Sequence, residues 1–286
     1  MPYVFINRRW LTGDQALVSV EDRGFRYGDG VFETIAVHGG IAYQWDLHIQ
    51  RLKAGLAALR IPLETAWFES DCRELLRKNK IRDGYLRISV TRGPGGRGYL
   101  PPAASELHPT IVIESFPATP VDRDSVALWH SGYEKMSPRA VPVHFKTAQG
   151  LNATLARLEA QENGCFDGLM FGVHGQVCET GSANIFWFRD GVLYTPSIAC
   201  GVLDGTTRAA IMRISPFPVR EGVYALDALK QASAVFLTNV HLQVLGVQRL
   251  EPEGFRWESD ALAEEMLVRL RQDIDEYANA RAERAV

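Results

Sequence analysis

The chain has 286 residues, 46% of them hydrophobic and 23% charged, which is typical of a soluble globular protein long enough for one or two domains. The formal net charge of -3 excludes a strongly basic surface, so we expect no binding to nucleic acid or to an anionic membrane. The four cysteines are widely spaced and form no CxxC pair, and the N-terminal MPYVFINRRW lacks an apolar leader, so the sequence predicts a cytoplasmic protein with reduced thiols and no metal site.

The first part of the chain alternates strands and helices. The predicted elements are, in chain order, a strand in YVFINRRWL, a strand between the turns at Gly28–Gly30 and Gly39–Gly40, helices in DLHIQRLKAGLAALRI and LETAWFESDCRELLRKNK, and strands in DGYLRISV and PTIVIESF. Asp46 is the expected N-cap of the first helix. Leu86, Ile88 and Val90 alternate with polar residues, which predicts one buried face for their strand.

The second part of the chain is richer in strands. The predicted elements are, in chain order, the apolar stretches SVALWHS and AVPVHFK, a helix after Lys146, strands in GLMFGV, QVCE and NIFWF, a helix entered from GVLDGTTRAAIMRI, a strand in SAVFLTNV and a terminal helix in DALAEEMLVRLRQDIDEYANARA. Leu151, Leu155 and Leu158 are expected to line one face of the helix after Lys146. The pair Asp190-Gly191 predicts a hairpin turn.

These elements indicate an α+β fold class with two domains. The stretch PATPVDRD combines prolines with charged residues and is the best candidate for a linker, at residues 117–124. We therefore expect one domain over residues 1–116 and a second over residues 125–286. The sequence contains no internal repeat or low-complexity segment.

Two residues of the second domain could carry chemistry. Lys146 follows an apolar stretch, so it is either a stem lying along apolar surface or an amine whose pKa is lowered for attack on a carbonyl group. Glu179 lies between two predicted strands, where it is either an ordinary turn residue or a carboxylate that holds a proton on a heterocyclic nitrogen.

Two further stretches could bind anions. In LDGTTR, a glycine leads into two threonines at a helix N-terminus, which suits a phosphate group, although Thr206 could simply cap the helix. Arg51 could supply a matching cation or lie on a solvated helix face. The loop RGPGGRGY carries Arg92, Arg97 and Tyr99, and it is either a carboxylate-binding loop or a mobile surface loop.

Taken together, these residues supply an amine, a carboxylate, a phosphate-binding helix end and a carboxylate-binding loop. Pyridoxal 5'-phosphate requires this set, because its aldehyde, ring nitrogen and phosphate each need a partner and its substrate needs an anchor. The sequence therefore predicts pyridoxal 5'-phosphate as the cofactor and a small amino compound with a carboxylate as the substrate.

The order of these motifs resembles that of the fold-type IV, class IV pyridoxal-phosphate enzymes, which include aminotransferases and aminodeoxychorismate lyases. The resemblance covers nearly the whole chain, through DRGFRYGDGVFE, HIQRL, TRGPGGRGY, FKTAQGLNATLARLEA, CETGSANIF, GVLDGTTR and FLTNV. It implies a smaller N-terminal α/β domain, a larger C-terminal cofactor-binding domain with a barrel-like sheet, and a homodimer.

The resemblance also assigns roles to individual residues. Lys146 would form the Schiff base and move the proton, and Glu179 would pair with the pyridine nitrogen. The remaining cofactor contacts implied by the resemblance are Arg51, Thr206 and Thr207 at the phosphate, Leu203 on the ring face, and Asn239 and Val240 at the other edge of the cofactor.

Three features resemble aminodeoxychorismate lyases more than other members of the family. They are the loop RGPGGRGY, Thr34 in FET, and Asn239 in TNV. Two features depart from the lyase pattern, since Gln149 replaces the usual asparagine and Cys178 replaces the usual threonine. Phe32 takes the place of a substrate-binding tyrosine of D-amino-acid aminotransferases.

The leading expectation is therefore a lyase that releases pyruvate from aminodeoxychorismate and leaves 4-aminobenzoate. Arg97 would bind a substrate carboxylate with help from Arg92, Tyr99 and Phe32 would line the substrate site, and Thr34 would orient the leaving group or relay a proton. The main alternative is an aminotransferase acting on D-amino acids or (R)-amines, and less readily on branched-chain amino acids. A third alternative is a carrier that binds the cofactor without turnover.

Overall fold

The computed structural model describes residues 2–283, which divide into two compact units. The first unit contains the described residues of Met1–Pro120 and Ile274–Val286 together with Phe145–Gln149, and the second contains Val121–His144 and Gly150–Asp273. The short segment that carries Lys146 therefore belongs to the first unit, although it lies in the second half of the sequence. The domain limits expected from the sequence stay a prediction.

A six-stranded antiparallel sheet forms the first unit. Its strands are, in chain order, β1 (Tyr3–Ile6), β2 (Arg9–Thr12), β3 (Gly30–His38), β4 (Ile41–Ala42), β5 (Gly84–Thr91) and β6 (Thr110–Pro117). Their spatial order is β2-β1-β6-β5-β3-β4, so β3 and β5 are neighbours near one edge. The helices of this unit are α1 (Arg23–Tyr27), α2 (Trp45–Ala58) and α3 (Phe68–Lys78).

One face of this sheet packs into an apolar core. Leu86, Ile88 and Val90 are fully buried there, as their alternation with polar residues predicts. Leu52 and Leu56 of α2 belong to the same core. The helix begins differently from the prediction, because its N-cap is Gln44 in the left-handed conformation, and Asp46 lies inside the first turn. An acidic side chain in the first turn still complements the helix dipole.

The opening segment YVFINRRWL is a hairpin, whereas the sequence predicted one strand. Asn7 and Arg8 have φ angles of 46° and 67°, which are the left-handed values that a two-residue type I′ turn requires. Neither residue is glycine, so the turn carried little signal in the sequence. The second predicted helix is also shorter, because α3 starts only at Phe68.

The second unit is built on a nine-stranded mixed sheet. Its strands are β7 (Val126–His130), β8 (Asp167–Phe171), β9 (Val177–Thr180), β10 (Asn184–Arg189), β11 (Val192–Pro196), β12 (Val219–Gly222), β13 (Ala234–Asn239), β14 (Gln243–Glu251) and β15 (Phe255–Arg256). The main path runs β12-β11-β10-β13-β14-β7-β8-β9, and β15 pairs with β14. The helices are α4 (Leu151–Glu162), α5 (Thr206–Ile214), α6 (Asp227–Lys230) and α7 (Asp260–Glu283), of which α7 ends in the first unit.

The helix after Lys146 buries a face that the sequence did not predict. Ala156 and Ala160 are its buried residues, whereas Leu151 and Leu158 are 72% and 48% exposed. Small side chains allow the helix to approach β8 closely, since the backbone of Ala156 lies against Gly168. The leucines expected on one face of this helix are therefore not its buried residues.

Several strands of this unit were absent from the sequence prediction. They are β11, β12, β14 and the short β15. The stretch AVPVHFK contains no strand and follows an irregular path. The hairpin turn at Asp190-Gly191 is confirmed, because both residues have positive φ, 50° and 77°. Within residues 2–283, no helix combines the length and the apolar character needed to cross a membrane.

Candidate active site

Lys146 is held by the first residues of β3. The backbone N–H of Phe32 donates to the carbonyl of Lys146 at 2.8 Å, and the N–H of Ala148 donates to the carbonyl of Gly30 at 2.9 Å. Val31 and Thr147 form an isolated antiparallel bridge between these two contacts. This pairing explains the position of the lysine just ahead of α4, because its backbone is attached to β3 before the helix begins.

The lysine ammonium and an arginine contact the same aromatic ring. Lys146 Nζ lies 4.7 Å from the centroid of Phe32, and the guanidinium carbon of Arg87 lies 4.1 Å from it. Arg87 is the cross-strand neighbour of Thr34 in the β3–β5 ladder. This face of the sheet therefore carries an aromatic ring, a hydroxyl and two cations.

Two polar groups on this face have no protein hydrogen-bond partner among the described residues. Among residues 2–283, the guanidinium of Arg87 donates no hydrogen bond, and the hydroxyl of Thr34 makes none. Burial lowers the pKa of Arg87 from its usual value, while the opposing Glu114 raises it. An arginine stays charged in proteins, so Arg87 offers a partly desolvated cation to an anionic ligand.

The opposite face of β3 contains a closed polar cluster. Glu33 accepts hydrogen bonds from Arg51 Nε at 2.7 Å and from Arg51 Nη2 at 2.6 Å. His48 Nδ1 donates to Glu33 Oε2 at 2.7 Å. All three side chains are buried or nearly so, and the two-point contact fixes the plane of the Arg51 guanidinium.

The pKa values in this cluster follow from burial and charge. Burial alone would raise the pKa of Glu33, but hydrogen bonds from Arg51 and His48 hold it below its usual value. Burial lowers the pKa of His48, although Glu33 opposes this effect. His48 is therefore neutral at pH 7 and carries its proton on Nδ1.

Arg92, the first arginine of the RGPGGRGY loop, forms its hydrogen bonds within the first unit. Its guanidinium contacts both carboxylate oxygens of Asp29, at 2.7 and 3.0 Å. It also donates to the carbonyls of Leu59 and Arg60, at 2.7 and 3.2 Å. The guanidinium of Arg92 in this conformation has no pair of donors left for a second carboxylate. The predicted role of Arg92 in substrate binding is therefore not part of the function proposed below.

The remainder of the loop is shaped by Arg23. Its guanidinium donates to the carbonyls of Gly98 and Tyr99 at 3.0 and 2.9 Å, and to that of Gly95 at 3.4 Å. Arg97 is exposed, and the side chain of Tyr99 is 89% exposed. The loop therefore has an ordered backbone and presents both predicted ligand-binding side chains to its surroundings.

Glu179 is surrounded by hydrogen-bond donors within the second unit. Lys135 Nζ lies 2.5 Å from Glu179 Oε1, and Asn184 Nδ2 donates to Oε2 at 2.8 Å. The backbone N–H of Leu203 donates to both oxygens at 3.1 Å. Four contacts of this kind fix the orientation of the carboxylate.

The N-terminus of α5 lies beside this carboxylate. Gly205 is the N-cap, so the expectation that Thr206 might cap the helix is wrong, and Thr206 and Thr207 are buried in its first turn. The amide oxygen of Asn184 lies so close to Gly205 that a Cβ there would collide with it. The hydroxyl of Thr238 is buried and has no hydrogen-bond partner among the described residues. The helix end thus combines backbone donors, two hydroxyls and the positive end of the helix dipole.

The residues predicted for the other edge of the cofactor lie at the end of β13. Asn239 accepts hydrogen bonds from the backbones of His241 and Leu242 at 2.8 and 2.6 Å, and it donates to the carbonyl of Ser182 at 3.0 Å. The amide of Asn239 therefore shapes the β13–β14 turn. Val240 follows it and is half-buried.

The structure thus groups the predicted residues within each unit separately. The first unit brings Lys146, Phe32 and Thr34 together, and the second brings Glu179 and Leu203 together. Arg87, Asn184 and Lys135 were missed by the sequence interpretation. Arg87 had a detectable signal, because it is a charged residue on the polar side of an alternating strand, whereas the contacts of Asn184 and Lys135 join residues that no periodicity connects.

Comparison with known proteins gives the family. The family model described as "Amino-transferase class IV" matches residues 30–250. This match covers well over half of the chain, from the first residue of β3 to the C-terminal part of β14. The chain belongs to the class IV aminotransferase family.

Three similar proteins illustrate the range of the family. The aminodeoxychorismate lyase of Bacillus subtilis is 27% identical over 292 residues, covering 99% of this chain and 98% of that protein. The crystal structure of 4-amino-4-deoxychorismate lyase from Pseudomonas aeruginosa superposes with a TM-score of 0.83 at 30% identity, covering 95% and 99% of the two chains. A branched-chain amino acid aminotransferase from Escherichia coli has a TM-score of 0.85 at 26% identity, covering 93% and 91%.

The fold class expected from the sequence, α+β with a barrel-like sheet in the C-terminal domain, is confirmed by these similarities. The chain is a pyridoxal 5'-phosphate-dependent enzyme, so the predicted cofactor is confirmed as well. The residues described above fit this cofactor, since they offer a primary amine, an oriented carboxylate and a helix N-terminus. The unpartnered hydroxyl of Thr238 adds a donor for a bound oxygen atom.

Proposed function

We propose that this enzyme is an aminodeoxychorismate lyase, which converts 4-amino-4-deoxychorismate to 4-aminobenzoate and pyruvate. The observation that carries the proposal is the face formed by Phe32, Thr34 and Arg87, where a hydroxyl and a guanidinium without protein hydrogen bonds accompany the Lys146 amine at the Phe32 ring. The substrate bears two carboxylates and one amine, so a site for it needs cations as well as the cofactor. Similarity to the Bacillus subtilis lyase over nearly the full length supports the same assignment.

The proposed binding residues separate into cofactor and substrate contacts. The proposed cofactor contacts are Lys146 at the aldehyde, Glu179 at the ring nitrogen, Arg51, Thr206 and Thr207 at the phosphate, and Leu203, Asn239 and Val240 around the ring. Arg51 would keep its contact with Glu33 through Nε and Nη2 and turn the other edge of its guanidinium to the phosphate. Arg87 and Arg97 are the two cations that we assign to the two substrate carboxylates, and Phe32 and Tyr99 would line the substrate.

The chemistry follows from these positions. Bound pyridoxal 5'-phosphate supplies an aldehyde for the substrate amine and a ring that withdraws electrons from the adjacent carbon. Lys146 would take the proton from the substrate carbon that bears the amine. The bond between the neighbouring ring carbon and the enolpyruvyl oxygen would then break, Thr34 would donate a hydrogen bond to the departing oxygen, and the substrate ring would become aromatic. The enolpyruvate takes up a proton to become pyruvate.

An aminotransferase is the second candidate. It is favoured by the similarity to the Escherichia coli branched-chain enzyme, whose structure superposes as well as that of the lyase. In that reaction Lys146 would move the same proton to the cofactor and not eliminate a group. The sequence-based alternatives for its donor, D-amino acids and (R)-amines, remain part of this second proposal.

A product assay separates the two candidates. The purified holoenzyme is incubated with 4-amino-4-deoxychorismate without any keto acid, and separately with D-alanine, L-leucine or (R)-phenylethylamine with and without 2-oxoglutarate. The lyase proposal predicts equal amounts of pyruvate and 4-aminobenzoate and no need for the keto acid. Turnover of an amine that stops after one equivalent unless 2-oxoglutarate is added, with no elimination product, would contradict it and support the aminotransferase.

We also propose a homodimer, as the resemblance suggested. Four apolar or aromatic side chains of the first unit support this assembly because they are largely exposed: Val20, Phe25, Tyr99 and Leu100. Light scattering coupled to gel filtration is expected to give twice the mass of the chain, and Phe25→Glu to lower it to one chain. The cytoplasmic location expected from the sequence stays a prediction.

A further inference from the structure

The carboxylate of Glu179 has a cationic partner of its own. Lys135 Nζ lies 2.5 Å from Glu179 Oε1, and both side chains are largely withdrawn from solvent. Lys135 is fixed in turn by its backbone N–H, which donates to the carbonyl of Phe171 in β8 at 2.8 Å. A pair at this distance in a partly dry site interacts much more strongly than a surface pair.

The surroundings leave Lys135 as the compensating charge. The other donors to Glu179, Asn184 Nδ2 and the N–H of Leu203, are neutral. Burial and the neighbouring Cys200 raise the pKa of Cys178 to about 12, so this thiol is also neutral at pH 7. Of the groups that contact this carboxylate directly, Lys135 alone among the described residues carries a charge.

We infer that Lys135 is a positioning residue that shares the Glu179 carboxylate with the ring nitrogen of the cofactor and so offsets part of the negative charge that Glu179 presents to the cofactor. This inference rests on the proposed placement of Glu179 at that nitrogen. A carboxylate paired with one cation stabilises a second cation less than an unpaired carboxylate does. With the cofactor bound as proposed, between Glu179 and Lys146, Lys135 would also add positive charge to the surroundings of the cofactor.

The test measures a spectroscopic titration of the cofactor and not turnover. The near-visible absorbance of the lysine-bound cofactor changes when the linking nitrogen loses its proton, so the pH midpoint of that change reports the local charge. Lys135→Met removes one positive charge, so the midpoint is expected to rise by about half a pH unit or more. Lys135→Arg keeps the charge and is expected to restore the midpoint of the unchanged enzyme.

Two further variants keep the result interpretable. Lys135→Gln retains a neutral hydrogen-bond donor for Glu179, so it should fold where Lys135→Met does not, and its midpoint should also rise. Lys53→Met removes an exposed lysine of α2 and should leave the midpoint unchanged. An unchanged or lowered midpoint in Lys135→Gln, or a shift in Lys135→Arg as large as that in Lys135→Gln, would overturn the inference.

Failure of the inference is distinguishable from failure of the proposed placement of Glu179. Glu179→Gln should shift the midpoint, because it changes both the charge of the site and the partner of the ring nitrogen. If Glu179→Gln leaves the midpoint unchanged, the placement of Glu179 at the cofactor is contradicted. If Glu179→Gln shifts it and Lys135→Gln does not, only the role of Lys135 is contradicted.

Discussion

The two faces of β3 differ in how completely their polar groups are satisfied. On one face, Glu33 accepts hydrogen bonds from Arg51 and His48, and the cluster is closed. On the other face, Thr34 and its cross-strand neighbour Arg87 have no hydrogen-bond partner for their side chains among the described residues. Both side chains are half-buried, so a ligand that covers them would find a hydroxyl and a guanidinium without competing protein hydrogen bonds.

The largest expected effect on stability comes from removing Glu33 from its cluster with Arg51 and His48. Glu33→Ala leaves the buried Arg51 without its carboxylate, so the free energy of unfolding should fall by about 3–5 kcal/mol. Glu114→Ala is the matched control on the opposite face of the sheet, where the carboxylate is half-buried and holds no such cluster, and its effect should stay below about 1 kcal/mol. Urea unfolding of the cofactor-free protein measures both. Equal losses in the two variants would remove the distinction between the faces.

Substitutions of Arg87 and Arg92 should have opposite consequences, one for catalysis and the other for stability. Arg87→Met removes a cation that holds no protein hydrogen bond, so kcat/KM should fall by about 10- to 100-fold while the midpoint of unfolding hardly changes. Arg92→Met breaks the contact with Asp29 and should destabilise the protein instead. Steady-state kinetics and thermal unfolding of both variants check this contrast. A stability loss in Arg87→Met as large as that in Arg92→Met would show that Arg87 is structural.

Thr34 should give a smaller, purely kinetic effect. Thr34→Val keeps the branched shape and removes only the hydroxyl, so kcat should fall about tenfold with little change in KM. Because the hydroxyl has no protein partner, the free energy of unfolding should not decrease. Thr34→Ser is the rescue variant and should recover most of the rate. If Thr34→Val reduces stability and leaves kcat unchanged, the hydroxyl serves packing and not chemistry.

The cluster of Glu33, Arg51 and His48 should also make the free energy of unfolding depend on pH. This is the smallest of the expected effects. The pKa of His48 in the folded protein is below the ordinary histidine value of 6.5. As the pH falls below 6.5, His48 therefore becomes protonated in the unfolded chain while it stays neutral in the folded protein. Stability is therefore lost as the pH falls, and the lowered pKa of Glu33 extends the loss to lower pH. Urea unfolding at pH 7.5 and 5.5 should show the decrease, and His48→Gln should reduce it. A His48→Gln variant with an undiminished decrease would assign the effect to other groups.

The sequence correctly predicted those elements whose residues alternate regularly or form a characteristic turn. The alternation in β5 and the Asp190-Gly191 turn were found because each leaves a local pattern. The hairpin at Asn7–Arg8 was missed because its left-handed residues are not glycines. The buried residues of α4, Ala156 and Ala160, were missed because packing against β8 depends on small residues, and helical spacing alone does not reveal close approach.

Prediction from local sequence patterns was even less complete for the candidate site. Lys146 and Glu179 were singled out by motif order, but the sequence could not reveal that Lys146 contacts the ring of Phe32 beside Arg87. It also could not pair Lys135 with Glu179, since the two residues lie on different elements. Contacts of this kind arise from tertiary structure, where residues distant in sequence meet.

The covalent attachment of the cofactor is the most direct test of the account. The holoenzyme is treated with sodium borohydride, which fixes the cofactor to its amine, and the digested protein is mapped by mass spectrometry. The account predicts one phosphopyridoxyl group, on Lys146, and none in Lys146→Ala. A label on Lys135 or any other lysine, with Lys146 unmodified, would contradict it.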